Sequence, residues 1–315
     1  MYRRTSTSDE WLRLTETAEK IYTDTTAVAG TTYYYTVKAF GADDSYSTYR
    51  KDETIKRLTR PEFTLSNSST GIQVSWGKVT GATKYRVYRK TSATDSWTQL
   101  TETTGSSYTD KTAKMGTMYY YTVRAFSGST YSSYRTDQTI VRLAEPDFTL
   151  SNYTAGVKVS WDSVEGATKY RVYRRTSTSA EWLRLTETSE TTYTDTTAVA
   201  GTTYYYTVKA FGADNSCSTY RKDETIKRLT RPGFTLANSS TGVQVNWEKV
   251  SGATKYRVYR KTSATGSWTQ LTETTGTSYT DTTAKAGTMY YYTVRAFSGS
   301  TYSSYQTDQT ILYEK

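Results

Sequence analysis

Residues Gly116–Phe126 read GTMYYYTVRAF, and near copies begin at Gly30, Gly201 and Gly287. In an extended strand, successive side chains point to opposite faces. Tyr119, Tyr121, Val123 and Ala125 then share one face, and Tyr120, Thr122 and Arg124 share the other. The set ending in Val and Ala is the inward one. The triple tyrosine therefore divides into core tyrosines and a single outward ring.

The tyrosine stretch is one mark of a repeat of domain length. Trp76, Trp161 and Trp247 are 85 and 86 residues apart, and Pro61, Pro146 and Pro232 keep the same intervals. That spacing is a small domain, too long for a solenoid turn. A second period lies above it. Residues 2–61 match 173–232 except at positions 9, 18, 20, 21, 44 and 46. The first and third units are near copies, as are the second and fourth, and alternation of unlike neighbours lowers the risk of strand exchange during folding. Expected units are 1–58, 59–144, 145–230 and 231–315. In the second, strands are expected near 62–66, 71–77, 84–91, 96–102, 106–110, 118–126 and 130–141, separated by turn sequences such as NSSTG and VTGAT. The reading is all-β: tandem seven-stranded antiparallel β-sandwiches.

Composition narrows the chemistry. The 315 residues contain no histidine, which removes histidine-based acid/base pairs, triads and metal ligands. Cys217 is the lone cysteine, so no intrachain disulfide can form. No run approaches the roughly 18 apolar residues of a membrane helix. The net charge of +10 is unevenly spread. The second unit carries 11 basic and 5 acidic residues and the fourth 9 and 5, whereas the first and third are neutral.

The order Pro61, Trp76, Tyr85-Arg86-Val87, Tyr108-Thr109-Asp110, then AKMGTMYYYTVRA, resembles a fibronectin type III domain. GATKYRVYRK and YTDTTAKAGTMYYYTVRA look like segments of such domains in long bacterial extracellular proteins. The resemblance covers nearly the whole chain, with departures at Ala113, where leucine is frequent, and at Met115, where proline is. It implies an extracellular or cell-surface location. It also implies a tyrosine corner, a phenol hydroxyl bonded to upstream backbone, at Tyr33, Tyr119, Tyr204 and Tyr290. The first unit lacks the first two strands and half of the third, and is expected to be the least stable and a route to self-association. The fourth unit is complete and diverges after Ile311.

The candidate binding face is the outward one. Arg86, Tyr88, Tyr120 and Arg124 lie on adjacent strands, and Trp97 joins them by analogy with WLRL, where Leu183 and Leu185 are expected inward and Trp182 outward. The fourth-unit equivalents are Arg257, Tyr259, Trp268, Tyr291 and Arg295. Such a face can stack on a sugar or hold an anionic polymer. Cross-strand packing of aromatic rings and arginines gives the same pattern with no ligand. Asp24, Asp110, Asp195 and Asp281 in YTD suit an Asx-type turn, and Asn67, Asn152 and Asn238 suit turn chemistry.

No cofactor, metal site or catalytic constellation is expected. The function expected is a non-enzymatic stalk, spacer and adhesion or protein-interaction scaffold at a bacterial surface. The alternative is a module binding carbohydrate or anionic wall polymer, accessory to an enzyme domain, with units 59–144 and 231–315 gripping the polyanion.

Overall fold

The computed structural model describes residues 1–48, 52–134, 137–176, 181–220, 223–305 and 308–315. It divides into two compact units, Met1–Leu143 with Gly212–Cys217, and Ala144–Phe211 with Ser218–Lys315.

The first repeat holds β1 (Tyr2–Thr5), β2 (Leu12–Arg13), β3 (Thr32–Thr36) and β4 (Glu53–Lys56). They form one sheet in the order β2-β1-β3-β4. The second holds β5 (Phe63–Asn67), β6 (Ile72–Trp76), β7 (Lys84–Lys90), β8 (Thr98–Thr103), β9 (Ser107–Asp110), β10 (Met118–Ser127), β11 (Thr130–Tyr131) and β12 (Gln138–Val141). Here there are two sheets, β5-β6-β9 and β11-β10-β7-β8, with β12 also on β10. The third repeats this with β13 (Phe148–Asn152), β14 (Val157–Trp161), β15 (Lys169–Thr176), β16 (Leu183–Thr188), β17 (Thr192–Asp195), β18 (Thr203–Phe211) and β19 (Glu224–Lys227). The fourth holds β20 (Phe234–Ser239), β21 (Gly242–Trp247), β22 (Lys255–Lys261), β23 (Thr269–Thr274), β24 (Ser278–Asp281), β25 (Met289–Ser298), β26 (Thr301–Tyr302) and β27 (Gln309–Leu312). All pairings are antiparallel.

Alternation places the core as expected. Tyr119, Tyr121, Val123 and Ala125 of β10 pack with Trp76, Tyr85 and Val87. The same residue types fill the cores of the third and fourth repeats. Thr122, on the other face of β10, is also fully buried, so this central strand is covered on both sides.

Two expectations need correction. The last strand of the second repeat is broken into β11 and β12, and residues 135–136 of the expected 130–141 strand lie outside the described residues. At the break the Ser132 hydroxyl accepts the Ala125 amide at 3.1 Å, taking the place of a ladder carbonyl. Leu183 is exposed, not inward; only Leu185 packs on the core. Leu183 pairs with Arg174 as the first residue of β16, the edge strand of its sheet, where no core residue reaches it.

The linker between the third and fourth repeats is fastened at both ends. Leu58 packs in the core of the second repeat and Leu229 in that of the fourth. Asn152, at the end of β13, donates to Lys227 O (2.9 Å) and Tyr302 O (3.1 Å) and accepts from Leu229 N (3.0 Å). Arg228 donates to Tyr153 O and Thr154 O. Asn67 binds Val141 O and Leu143 N in the same way. These asparagines do more than turn chemistry: one carboxamide satisfies both a donor and an acceptor of the departing chain. Gly201 and Gly252 have positive φ, and a Cβ on Gly252 would lie 2.8 Å from Gly201 Cα, so the two repeats meet backbone to backbone.

Candidate functional site

The outward face is a ladder of alternating rings and cations. In the second repeat the Arg124 guanidinium lies 4.1 Å from the ring centroid of Tyr131 and 4.2 Å from that of Tyr134. Tyr134 stacks on Trp97 at 6.3 Å with an 11° interplanar angle. Lys90 Nζ sits 4.6 Å from the Trp97 ring and 5.4 Å from that of Tyr120. Tyr88 meets Tyr134 edge-on at 6.1 Å and is buried beneath it. The fourth repeat has the same arrangement. Arg295 lies 4.1 Å from both Tyr302 and Tyr305, Trp268 stacks on Tyr305, Tyr259 meets Tyr305 edge-on, and Lys261 spans Trp268 and Tyr291.

The structure thus brings together all five residues, Tyr88, Trp97, Tyr120, Arg124 and Arg86, the last opposite Arg124 and beside Tyr88 but paired with a carboxylate. Arg86 lies over Phe126 at 4.3 Å and donates to Glu102 at 2.6 Å, and Arg257 does the same with Phe297 and Glu273. Sequence reasoning missed Lys90, Tyr131 and Tyr134. Lys90 was within reach, being two residues beyond Tyr88 on the same face. Tyr134 lies beyond the strand break at Ser132, where alternation carries no information.

This geometry limits what the face can do. Each cation–ring contact contributes about 0.5–1 kcal/mol at an exposed site. The rings and guanidinium planes pack on one another, while Tyr131, Tyr134, Tyr302 and Tyr305 stay about half exposed. Charge is compensated: Lys84 and Arg86 pair with Glu102, Arg89 with Asp110, and Lys90 with Asp137. The exposed Lys78 lies in the turn after Trp76, whereas exposed Lys111 and Lys114 follow Asp110. Since Ser75 pairs with Ser107 and Ile72 with Asp110, those lysines are at opposite ends of the small sheet and form no patch.

Beneath the ladder sits a buried charge. Asp110, fully buried, accepts Tyr121 Oη at 2.7 Å and Arg89 Nη1 at 2.6 Å on one oxygen, and Thr112 N at 2.9 Å on the other. The last bond is the expected Asx turn; the first two were not foreseen. Burial pushes the Asp110 carboxyl up, but the hydrogen bonds from Tyr121 and Thr112, with that from Arg89, outweigh it and hold it below its ordinary value. Burial, then the bond to Asp110, raises the Tyr121 phenol. The third and fourth repeats have the same triads, Arg174–Asp195–Tyr206 and Arg260–Asp281–Tyr292. The corner hydroxyls accept upstream amides at 2.9–3.1 Å: Tyr33 from Val28, Tyr119 from Lys114, Tyr204 from Val199 and Tyr290 from Lys285.

A three-stranded sheet facing a four-strand path, with a tyrosine hydroxyl bound back across the preceding turn, decides the fold. The second, third and fourth repeats are fibronectin type III-like sandwiches. No family model matches the sequence. Exoglucanase B of Cellulomonas fimi is 30% identical over 285 residues, covering 76% of this chain and 24% of that protein. A poly(3-hydroxybutyrate) depolymerase of Ralstonia pickettii is 45% identical over 60 residues, 19% of this chain and 11% of that protein. The chain therefore spans a quarter or less of the curated relatives it matches. Among solved structures, the FN1–FN3 domains of chicken CNTN1 cover 82% of this chain and 99% of their own, at 17% identity and a TM-score of 0.31. No helix among the described residues is long and apolar enough to cross a membrane.

Proposed function

We propose that this array of fibronectin type III-like domains is a non-catalytic spacer and interaction scaffold of a secreted or cell-surface bacterial protein. The observation that carries this reading is the fastened linker. Asn152 ties the exit strand of its own repeat and the Tyr302 hairpin of the next with one side chain, while Leu229 plugs the following core. A joint of this kind holds an angle, which a spacer needs and a loose chain of binding modules does not. The two curated relatives are bacterial proteins named for activities on polymers, and each is matched over a minor part of its length. That favours a role beside a catalytic polypeptide, positioning it, over catalysis by the array itself.

The test is a distance measurement. In the 315-residue chain carrying Cys217→Ser, spin labels at the exposed positions Glu190 and Thr275 report the joint between the third and fourth repeats. The expected result is one narrow distance distribution that broadens with Asn152→Ala. A broad distribution in the unsubstituted chain overturns the spacer reading.

The second reading, polyanion binding by the basic second and fourth repeats, rests on their net charges. It requires binding that weakens with salt and with Arg124→Ala or Arg295→Ala. Heparin affinity unchanged by those substitutions removes it.

A further inference from the structure

We propose that Arg124 in the second repeat and Arg295 in the fourth are receptors for the carboxylate of an acidic polysaccharide, one uronate sugar to each arginine. The site lies on the face of the polyanion reading above, rests on that reading and gives it a ligand. The Arg124 guanidinium is flanked by Tyr131 at 4.1 Å and Tyr134 at 4.2 Å, two rings with no contact between them. Its Nε donates to Ser132 O at 2.9 Å, a carbonyl between those tyrosines in the chain. Among the described residues its Nη groups have no hydrogen-bond partner and no carboxylate pairs with it. Arg295 repeats this between Tyr302 and Tyr305, both at 4.1 Å, with Nε on Ser303 O at 3.0 Å. A second guanidinium is fastened next to the first. Arg60 Nη1 donates to Tyr134 O at 3.4 Å, and Arg231 Nη1 to Tyr305 O at 3.3 Å.

A guanidinium clamped on both faces and tied at Nε keeps one edge for a ligand, the edge with two parallel N–H groups. A carboxylate is planar and takes both of them within the plane of the slot. A tetrahedral sulfate or phosphate sets oxygens above and below that plane, against the rings. The clamp also removes rotamer freedom from the arginine before anything binds. The hydroxyls of Tyr131, Tyr134, Tyr302 and Tyr305 carry no hydrogen bond among the described residues, and these side chains are about half exposed. They are suited to the hydroxyls of the sugar that bears the carboxylate. The third repeat is an internal control. Glu145 stands where Arg60 and Arg231 do, Lys209 where Arg124 and Arg295 do, and Cys217 in place of Tyr131 and Tyr302. Lys209 lies over the Tyr220 ring at 3.5 Å, and Glu145 accepts the Thr219 hydroxyl. One fold thus carries the clamp and two arginines in the second and fourth repeats, and a lysine and a carboxylate in the repeat between them.

The experiment titrates trigalacturonate into the 315-residue chain by calorimetry at physiological ionic strength. Two sites per chain are expected, because the first repeat, like the third, has lysine (Lys38) at the arginine position. Arg124→Lys with Arg295→Lys keeps both charges and loses the paired contact. Binding should weaken about tenfold, with the melting temperature unchanged, since the third repeat already holds a lysine there. Moving the clamp into the third repeat with Glu145→Arg, Lys209→Arg and Cys217→Tyr should raise the count to three sites. Binding indifferent to the lysine pair, or dextran sulfate bound as tightly as polygalacturonate, overturns the proposal and leaves polyanion binding standing, since charge alone then suffices. Equal binding of poly(glutamate) overturns it in favour of an acidic peptide. No binding of any of the three polymers removes this proposal and the polyanion reading together.

Discussion

The first and third repeats are nearly one sequence in two environments. β18 runs nine residues where β3 runs five, β16 six where β2 runs two, and the equivalent of β17 does not form in the first repeat. Each shortened strand stops where its partner stops. Thr36 is the last residue of β3 because it pairs with Tyr2, whereas β18 continues alongside Lys169–Val172 to Phe211. Val37 is 56% exposed and its counterpart Val208 0%; Ile55 is 51% exposed and Ile226 5%. Local β-propensity is held constant in this pair, so the difference measures what neighbours contribute. Strand formation here is a property of pairing and burial more than of residue preference.

The comparison breaks most visibly in hydrogen exchange. Amides of Tyr206 and Val208 should exchange only through global opening, and those of Tyr35 and Val37 through local opening, a gap on the order of 100-fold or more in rate. Equal protection would mean that something else covers the first sheet. Core truncation should follow the same order. Val208→Ala should cost about 1.5–3 kcal/mol of unfolding free energy, while Val37→Ala should stay within about 0.5 kcal/mol. Chemical denaturation followed by exchange-detected mass spectrometry separates the two.

Acid sharpens the comparison from the opposite side, because the carboxylate triad survives in both repeats. The Asp24 carboxyl is held at about 2, against an ordinary 3.8: burial raises it, and hydrogen bonds from Tyr35, Thr26 and Arg3 more than offset that. Asp195 is lowered too. A folded-state value below the unfolded one stabilises the fold above the unfolded value, and that stabilisation is lost as pH falls through the folded one. Thermal stability should therefore decline from about pH 4 towards pH 2. Asp195→Asn should reduce the decline in the third repeat and also lower stability at neutral pH, since it leaves the Arg174 guanidinium partly buried without its anion. A flat melting temperature across that range would deny the triads their role.

The sheets were legible in the sequence because period-two alternation survives in YYYTVRA and YRVYR, where every inward residue is Tyr, Val or Ala. The outward ladder was legible only in part. Its strand-borne members followed from alternation, but Tyr134 and Tyr305 reach it from irregular backbone after a strand break, and no pattern in the chain announces that approach. Leu183 failed for a different reason: it pairs with the inward Arg174 but sits at the end of the edge strand β16, where no core reaches it. The Arg–Asp–Tyr triad joins residues 21 and 11 apart along the chain, 89 with 110 and 121. Reading each strand by itself left that contact hidden, and the aspartate showed only its turn.

The smallest expected effect tests the premise of the comparison. Six residues differ between the two repeats over 2–61 and 173–232, and one of them exchanges an apolar for a polar side chain in the segment that becomes β17, Ile21 against Thr192. Ile21 is highly exposed and Thr192 lies on an edge strand, so neither side chain fills a core. Ile21→Thr should change unfolding free energy by no more than about 0.5 kcal/mol, as surface substitutions usually do. It should leave the exchange gap between Val37 and Val208 untouched. If instead the substitution closed the gap, the environment of the first sheet would owe its character to its own sequence and not to its neighbours.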